Sequence, residues 1–170
     1  MKRRDTRLES EGAEFLVLGE LLIQGIPGYK AYRNMPGYDI VALDPASDRI
    51  ARISVKSRFA TNTSAFIIKN FDCDFVVVAK LNRGTKKNPL KVLRPYFFVL
   101  PVEVVKDAPR SKGWNRMKFS SILHFMEYRD RWDFVRAFLS RPARQSRRVC
   151  LRGLTIRSTP TRAMKPARAG

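Results

Sequence analysis

The sequence is poor in cysteine, histidine and acidic residues. Its 170 residues include two cysteines, one histidine and 15 Asp and Glu. Two cysteines, Cys73 and Cys150, cannot build the disulfide framework of a small secreted domain. Together with His124 they provide fewer than the four ligands of a structural zinc site. A reducing, cytoplasmic compartment is therefore expected.

Long apolar runs are also missing. The longest extends from Phe15 to Ile26 and is interrupted by Glu20 and Gln24. It is shorter than the roughly 20 apolar residues that cross a bilayer as a helix, so no membrane partner is expected. The hydrophobic content of 44% is sufficient for one domain with a sizeable core.

Positive charge is abundant. The sequence has 34 Lys and Arg, a net charge of +19 and a pI near 10.8. Such a balance indicates a polyanionic partner, because neutralising phosphates and releasing counterions drives binding. DNA is the predicted partner, and RNA is not excluded. Residues 141–170 contain nine basic and no acidic residues, which predicts a flexible basic tail after a domain over 1–140.

Hydrophobic periodicity predicts an α/β domain. An amphipathic helix begins near Leu8 and ends at the Gly25–Gly28 segment. A turn is predicted at 44–48, a loop at 80–94 and a closing helix at Tyr128–Leu139. The predicted strands are Tyr29–Arg33, Tyr38–Leu43, Ile50–Lys56, Phe75–Ala79 and Pro95–Leu100. The last two are continuously apolar, as is typical of strands buried on both faces.

Four polar residues stand out against this pattern. Ser54 and Lys56 project from the same face of their strand, and the hairpin turn can bring Asp39 beside them. Glu14 lies at helical spacing before Leu18, which places a carboxylate on or beside the buried face of the first helix.

These residues resemble the PD-(D/E)XK nuclease superfamily. The matching segments are Gly12-Ala-Glu14, Gly37-Tyr-Asp39 and Ile53-Ser-Val-Lys56. The resemblance implies a restriction-endonuclease-like α/β fold, a mixed β-sheet flanked by helices in the order α-β-β-β-α-β-β-α. It also implies a Mg²⁺-dependent DNA endonuclease of the restriction, repair or junction-resolving type, and a homodimer is expected because two strands are to be cut.

The resemblance assigns a role to each residue. Asp39 and Glu14 would bind Mg²⁺, for which Mn²⁺ would substitute, and the carbonyl of Val55 would add an oxygen ligand. Lys56 would position the attacking water or the scissile phosphate. Oxygen ligands and retained waters are what Mg²⁺ prefers. The metal would neutralise phosphate charge and lower the pKa of a water.

One residue departs from the family pattern. Ser54 occupies the position of the second family acid, and a neutral hydroxyl binds Mg²⁺ poorly. The alternative is therefore a catalytically inactive nucleic-acid-binding protein on the same fold. Glu11, one turn before Glu14, could replace the lost charge. A basic structural or ribosome-associated protein is a third class, and the sequence does not identify the substrate's structure.

Basic residues also predict a DNA-binding rim: Arg58, Lys80, Arg83, Lys86, Lys87, Lys91 and Arg94.

For several other residues a purely structural role is the alternative. Glu14 could pair with Arg33 or Arg52 at the edge of the core. Trp114, Trp132 and His124 are expected to pack inside the protein.

Overall fold

The computed structural model describes residues 6–31, 37–47, 49–85, 87–111 and 113–141. The predicted tail beyond residue 141 lies outside the described residues. The elements in chain order are helix α1 (Thr6–Ile23), strands β1 (Gly28–Lys30), β2 (Ile40–Asp44), β3 (Arg49–Arg58), β4 (Ala65–Ile67), β5 (Phe75–Lys80) and β6 (Tyr96–Pro101), helix α2 (Val102–Asp107), strand β7 (Arg116–Lys118) and helix α3 (Asp133–Leu139).

A five-stranded mixed sheet organises the molecule, in the strand order β1-β2-β3-β5-β6. Strands β3 and β5 are parallel and the other neighbours are antiparallel. The predicted mixed sheet flanked by helices is confirmed. The order differs in two places. Residues 59–74 form turns and β4 where a helix was expected, and α2 and β7 lie between β6 and the closing helix. Strand β4 is stabilised by antiparallel pairing with the distant strand β7.

The sheet separates two hydrophobic cores. Strand β5 is buried along its whole length, and its side chains alternate between the cores. Val77 and Ala79 face α1 and α3, whereas Val76 and Val78 face β4, β7 and α2. The prediction that the Phe75 strand is buried on both faces is confirmed.

Helix α1 and the following hairpin also agree with the sequence. Ala13, Val17 and Leu21 recur every four residues and are fully buried. The helix ends at Ile23, and two residues later Gly25 has a φ of 70°, a conformation that glycine adopts at little cost. Within the turn after β2, the carboxylate of Asp44 accepts the backbone N–H of Ala46 at 2.9 Å. None of the helices in the described ranges is both long and apolar enough to cross a membrane.

The closing helix is shorter than predicted. Helix α3 begins at Asp133, because the chain just before it is bound to β6. Asp130 donates its backbone N–H to the Phe97 carbonyl at 2.9 Å, and its carboxylate accepts the Phe97 N–H at 3.1 Å. Its φ of 51° is incompatible with a continuing α-helix.

Of the three residues Trp114, Trp132 and His124, which were expected in the core, two are exposed. Trp132 is buried, as predicted, and its ring packs against Phe97. The expectation was wrong for Trp114, which is 76% exposed, because it lies in the loop before β7. It was also wrong for His124, an exposed residue that pairs with Glu127 across a short 3₁₀ turn.

The buried thiol of Cys73 provides a test of this packing. Burial raises the pKa of Cys73 to about 11, so almost no thiolate forms at pH 8. In a Cys150→Ser variant we expect no reaction with a disulfide reagent at pH 8 while the protein is folded, and one full equivalent in denaturant. Rapid labelling of the folded variant would contradict the burial of Cys73.

Candidate functional site

The candidate site lies where strand β3 extends beyond the end of β2. The two strands pair only as far as Ile40 opposite Ile53, yet β3 continues to Arg58. Asp39 occupies the gap left on this edge. Its backbone N–H donates to the Ile53 carbonyl at 2.9 Å, and its Oδ2 accepts the N–H of Val55 at 2.6 Å. The carboxylate thus takes the place of a strand partner, which fixes its position.

A chain of hydrogen bonds runs from Asp39 along the strand. Oγ of Ser54 lies 3.4 Å from Oδ2 of Asp39, to which it can donate a long hydrogen bond. Nζ of Lys56 donates to Oγ of Ser54 at 2.9 Å. Ser54 is only 2% exposed, so both contacts are shielded from water. The sequence-based expectation that Asp39, Ser54 and Lys56 share one face agrees with this geometry.

An open pocket of about 360 Å³ contains these three side chains. Sequence reasoning missed three of its other lining residues, Ile67, Lys69 and Asn70, which come from the end of β4 and the residues after it. No local pattern distinguishes this segment from an ordinary loop. It reaches the pocket because β4 pairs with β7 above the sheet.

Lys30 of β1 is another residue near the site that could not be singled out from the sequence. Its ammonium forms ion pairs with both Glu11 and Glu14, at 3.0 Å from Oε2 of Glu14. The Lys30 side chain is 6% exposed and that of Glu14 is 16% exposed. The expected pairing of Glu14 with Arg52 is wrong, because Arg52 binds Asp72 and Asp74 instead. The other expected partner, Arg33, lies outside the described residues.

The pKa of Glu14 is raised, because burial removes water from its carboxylate. The hydrogen bond from Lys30 opposes this effect, and the negative charge of Asp39 adds to it. Glu11 has an exposed side chain and also pairs with Lys30, so its negative charge balances the ammonium of Lys30.

Glu14 and the Ser54–Lys56 pair lie on opposite faces of the sheet. Helix α1 covers the face that carries Ile53 and Val55, whereas Ser54 and Lys56 alternate to the other face. Glu14 does not line the pocket of Asp39.

The predicted rim residues divide into exposed and buried groups. Four of them have exposed side chains: Arg83, Lys87, Lys91 and Arg94. Lys86 lies outside the described residues. The assignment of Lys80 to an exposed rim is wrong. Lys80 is 3% exposed, and its ammonium donates to the backbone carbonyl of Thr63. Burial lowers its pKa.

Arg58 is also more buried than a rim residue would be. Its guanidinium donates to the carbonyl of Ala65 at 2.7 Å and to that of Ser57 at 2.8 Å. Burial lowers the pKa of Arg58. The side chain joins β3 to β4, so it supports the segment that lines the pocket.

The acidic residues of the site are few. Within the described ranges, no group of three or more His, Cys, Asp or Glu side chains is arranged to hold a metal ion. The Mg²⁺ site expected from the family resemblance would therefore depend on Asp39 and Glu14, together with backbone oxygen and water.

Comparisons with known proteins identify the fold. No protein-family model matches the sequence, and no curated protein matches it. Among solved structures, the chain is similar to a bacterial homing endonuclease, I-Ssp6803I, with a TM-score of 0.51 and 19% identity. The alignment covers 78% of this chain and 92% of the endonuclease. The chain thus has a mixed α/β fold like that of this nuclease.

The pairing of Lys30 with Glu14 can be measured by a double-mutant cycle. Lys30→Gln leaves a largely buried carboxylate with weaker compensation, so we expect it to lower the free energy of unfolding by about 2 kcal/mol. In a Glu14→Gln background the same change should cost about 1 kcal/mol less. Urea denaturation of the four proteins at pH 7 gives both numbers.

The exposed Lys69 provides the matched control, and Lys69→Gln should change stability by less than about 0.5 kcal/mol. Additive effects of Lys30→Gln and Glu14→Gln would contradict the pairing.

Proposed function

We propose that this protein is a DNA endonuclease of the PD-(D/E)XK type. The observation that carries the proposal is the chain from Asp39 through Ser54 to Lys56 in an open pocket beside the gap in the sheet. A carboxylate and an ammonium that both contact one serine hydroxyl are suited to phosphodiester hydrolysis. The net charge of +19 and the fold in common with a homing endonuclease support DNA as the substrate.

The donor atoms at the gap fit Mg²⁺. Oδ2 of Asp39 accepts two hydrogen bonds, whereas Oδ1 has no donor within the described part of the chain. The carbonyl of Val55 points to the same edge as its N–H, next to that carboxylate. Glu14 would supply the second negative charge. Mg²⁺ held by these oxygens would neutralise phosphate charge and lower the pKa of a water.

Lys56 would act on the phosphate. Its ammonium lies in the pocket, where among the described residues it donates one hydrogen bond, to Ser54, and so keeps donors for a phosphate oxygen or for the attacking water. Ser54 would be a positioning residue, because its hydroxyl orients both Lys56 and Asp39. The exposed residues Arg83, Lys87, Lys91 and Arg94 would bind the DNA backbone without reading sequence.

The proposed assembly is a homodimer. One protomer has one candidate site, and cleavage of both strands requires two sites or two binding events. Two copies related by a twofold axis would place one site on each strand. The restriction, repair and junction-resolving types differ in how these sites are spaced, and all three are compatible with the proposed chemistry.

A second function is favoured by one specific observation. Ser54 provides a neutral oxygen at the position of the second family acid, and Lys56 is already bound to it. A protein on this fold that binds nucleic acid without cutting would retain the basic surface and need no metal. This alternative predicts binding that is indifferent to the loss of Asp39.

Cleavage of supercoiled plasmid tests the nuclease proposal. With Mg²⁺ or Mn²⁺ we expect the wild type to nick and linearise the plasmid, and a chelator should abolish the reaction. Asp39→Asn and Lys56→Ala should each lower the rate at least a hundredfold, because each removes a group that would contact the phosphate or the metal. Gel retardation should change less than about threefold, since phosphate binding is spread over many residues.

Glu103→Gln is the matched control, because it removes an exposed carboxylate of α2 outside this pocket and should cleave at the wild-type rate. Retardation of uncut plasmid by the wild type, with either metal, would instead support the binding-only function.

Ser54→Glu tests the departure from the family pattern. The change adds a second anionic ligand beside Asp39, so we expect Mn²⁺ to bind at least tenfold more tightly in calorimetry. Repulsion between the added carboxylate and Asp39 should lower the stability of the metal-free protein. Ser54→Gln is a neutral control of similar size. If neither the wild type nor Ser54→Glu binds Mn²⁺, the proposed convergence of Asp39 and Glu14 is wrong.

A further inference from the structure

Trp114 is held at the surface by an ordered turn. The flanking residues Gly113 and Asn115 both have positive φ, 86° and 49°. The carbonyl of Asn115 accepts the N–H of Ile68 at 3.2 Å, which ties the turn to the end of β4. A large aromatic side chain that is 76% exposed on such a turn covers no part of the core. Its ring is therefore accessible to a ligand.

The pocket beside Trp114 is large and basic. It has a volume of about 620 Å³, within the range of roughly 300–1,000 Å³ typical of ligand pockets. Its charged lining residues are Arg110, Arg116 and Lys118, and none of its lining residues is acidic. Arg110 is held with its guanidinium 4.6 Å from the centre of the Phe71 ring. The combination of an aromatic face and fixed cations matches the chemistry of a nucleotide.

The strand ladder of β4 and β7 explains why these cations point outward. Phe66 lies opposite Met117, and both side chains are buried. Arg116 and Lys118, one residue to either side of Met117, alternate to the exposed face. Their charges are thus fixed on the same surface as the Trp114 pocket.

This pocket adjoins the candidate catalytic pocket. Ile67 lines both of them, and Lys69, two residues further along, lines the catalytic one. A strand with one phosphate at Lys56 would continue over Ile67 toward Trp114. Arg116 is the strand partner of Ile67, so positive charge lies beside this shared residue.

We propose that Trp114 stacks on an unpaired base of a DNA strand that enters the catalytic pocket. Arg110, Arg116 and Lys118 bind the neighbouring phosphates. Within a continuous duplex each base is covered by its neighbours, so an aromatic face at the surface stacks on unpaired nucleotides. This inference rests on the proposed nuclease function and specifies its substrate as DNA with a single-stranded segment next to the scissile phosphate.

Tryptophan fluorescence in the presence of a chelator tests the stacking independently of cleavage. The protein contains two tryptophans, and the buried Trp132 serves as an internal reference. The probes are a single-stranded DNA of about ten nucleotides, its blunt duplex and the same duplex with an overhang. We expect quenching by the single strand and the overhang, and little quenching by the blunt duplex.

Substitution of Trp114 should remove this preference. Trp114→Ala should bind the single strand about tenfold more weakly, and Trp114→Tyr should restore most of the affinity. Ile23→Ala, which truncates an exposed apolar side chain of α1, should bind like the wild type. Equal affinity of wild type and Trp114→Ala, or equal quenching by the blunt duplex, would overturn the proposal.

The two proposals fail in distinguishable ways. Asp39→Asn should keep the full fluorescence response, because Asp39 is not in the stacking pocket. If the wild type does not cleave but Trp114 is quenched by single strands, the nuclease function alone is wrong. If plasmid is cut and Trp114 shows no response, the stacking inference alone is wrong.

Discussion

The hydrogen bond from the Val55 N–H to the carboxylate of Asp39 determines the geometry of the candidate site. Strand β2 ends before β3 does, and an unpaired backbone donor at that edge would cost free energy if it were left unsatisfied. Asp39 satisfies the donor with a short, charge-assisted bond of 2.6 Å. The same oxygen, Oδ2, lies within hydrogen-bond reach of Ser54, whereas Oδ1 accepts no hydrogen bond from the described residues. The architecture of the sheet thus positions the proposed metal ligand.

The protein satisfies its buried charges by local pairing on both faces of this sheet. On the α1 face, Lys30 binds the two carboxylates that α1 contributes. On the opposite face, Lys80 is bound by backbone carbonyls and Lys56 by a serine hydroxyl. Within the described ranges every buried side-chain nitrogen or oxygen has a partner. Within the described ranges, exposed basic residues such as Arg83, Lys87, Lys91 and Arg94 keep their charges at the surface, where phosphate can reach them.

The periodicity of hydrophobic residues was sufficient to predict the features that depend on nearby residues alone. The spacing of Ala13, Val17 and Leu21 predicts α1, and strand alternation places Ser54 and Lys56 on one face. Features that depend on distant contacts could not be predicted in this way. The break before α3 depends on Asp130 binding β6, and the burial of Lys80 depends on carbonyls some 17 to 19 residues away. Lys30 and the residues after β4 join the site through the same long-range packing.

In the proposed site, Asp39 and Glu14 would hold one divalent metal beside Lys56. Crystals grown with Mn²⁺ and examined by anomalous diffraction locate that ion directly. We expect one strong peak at the gap beside β2, about 2.2 Å from a carboxylate oxygen of Asp39, with the carboxylate of Glu14 facing it. A metal bound elsewhere, or an empty gap at saturating Mn²⁺ with Glu14 still paired to Lys30, would contradict the proposed metal site.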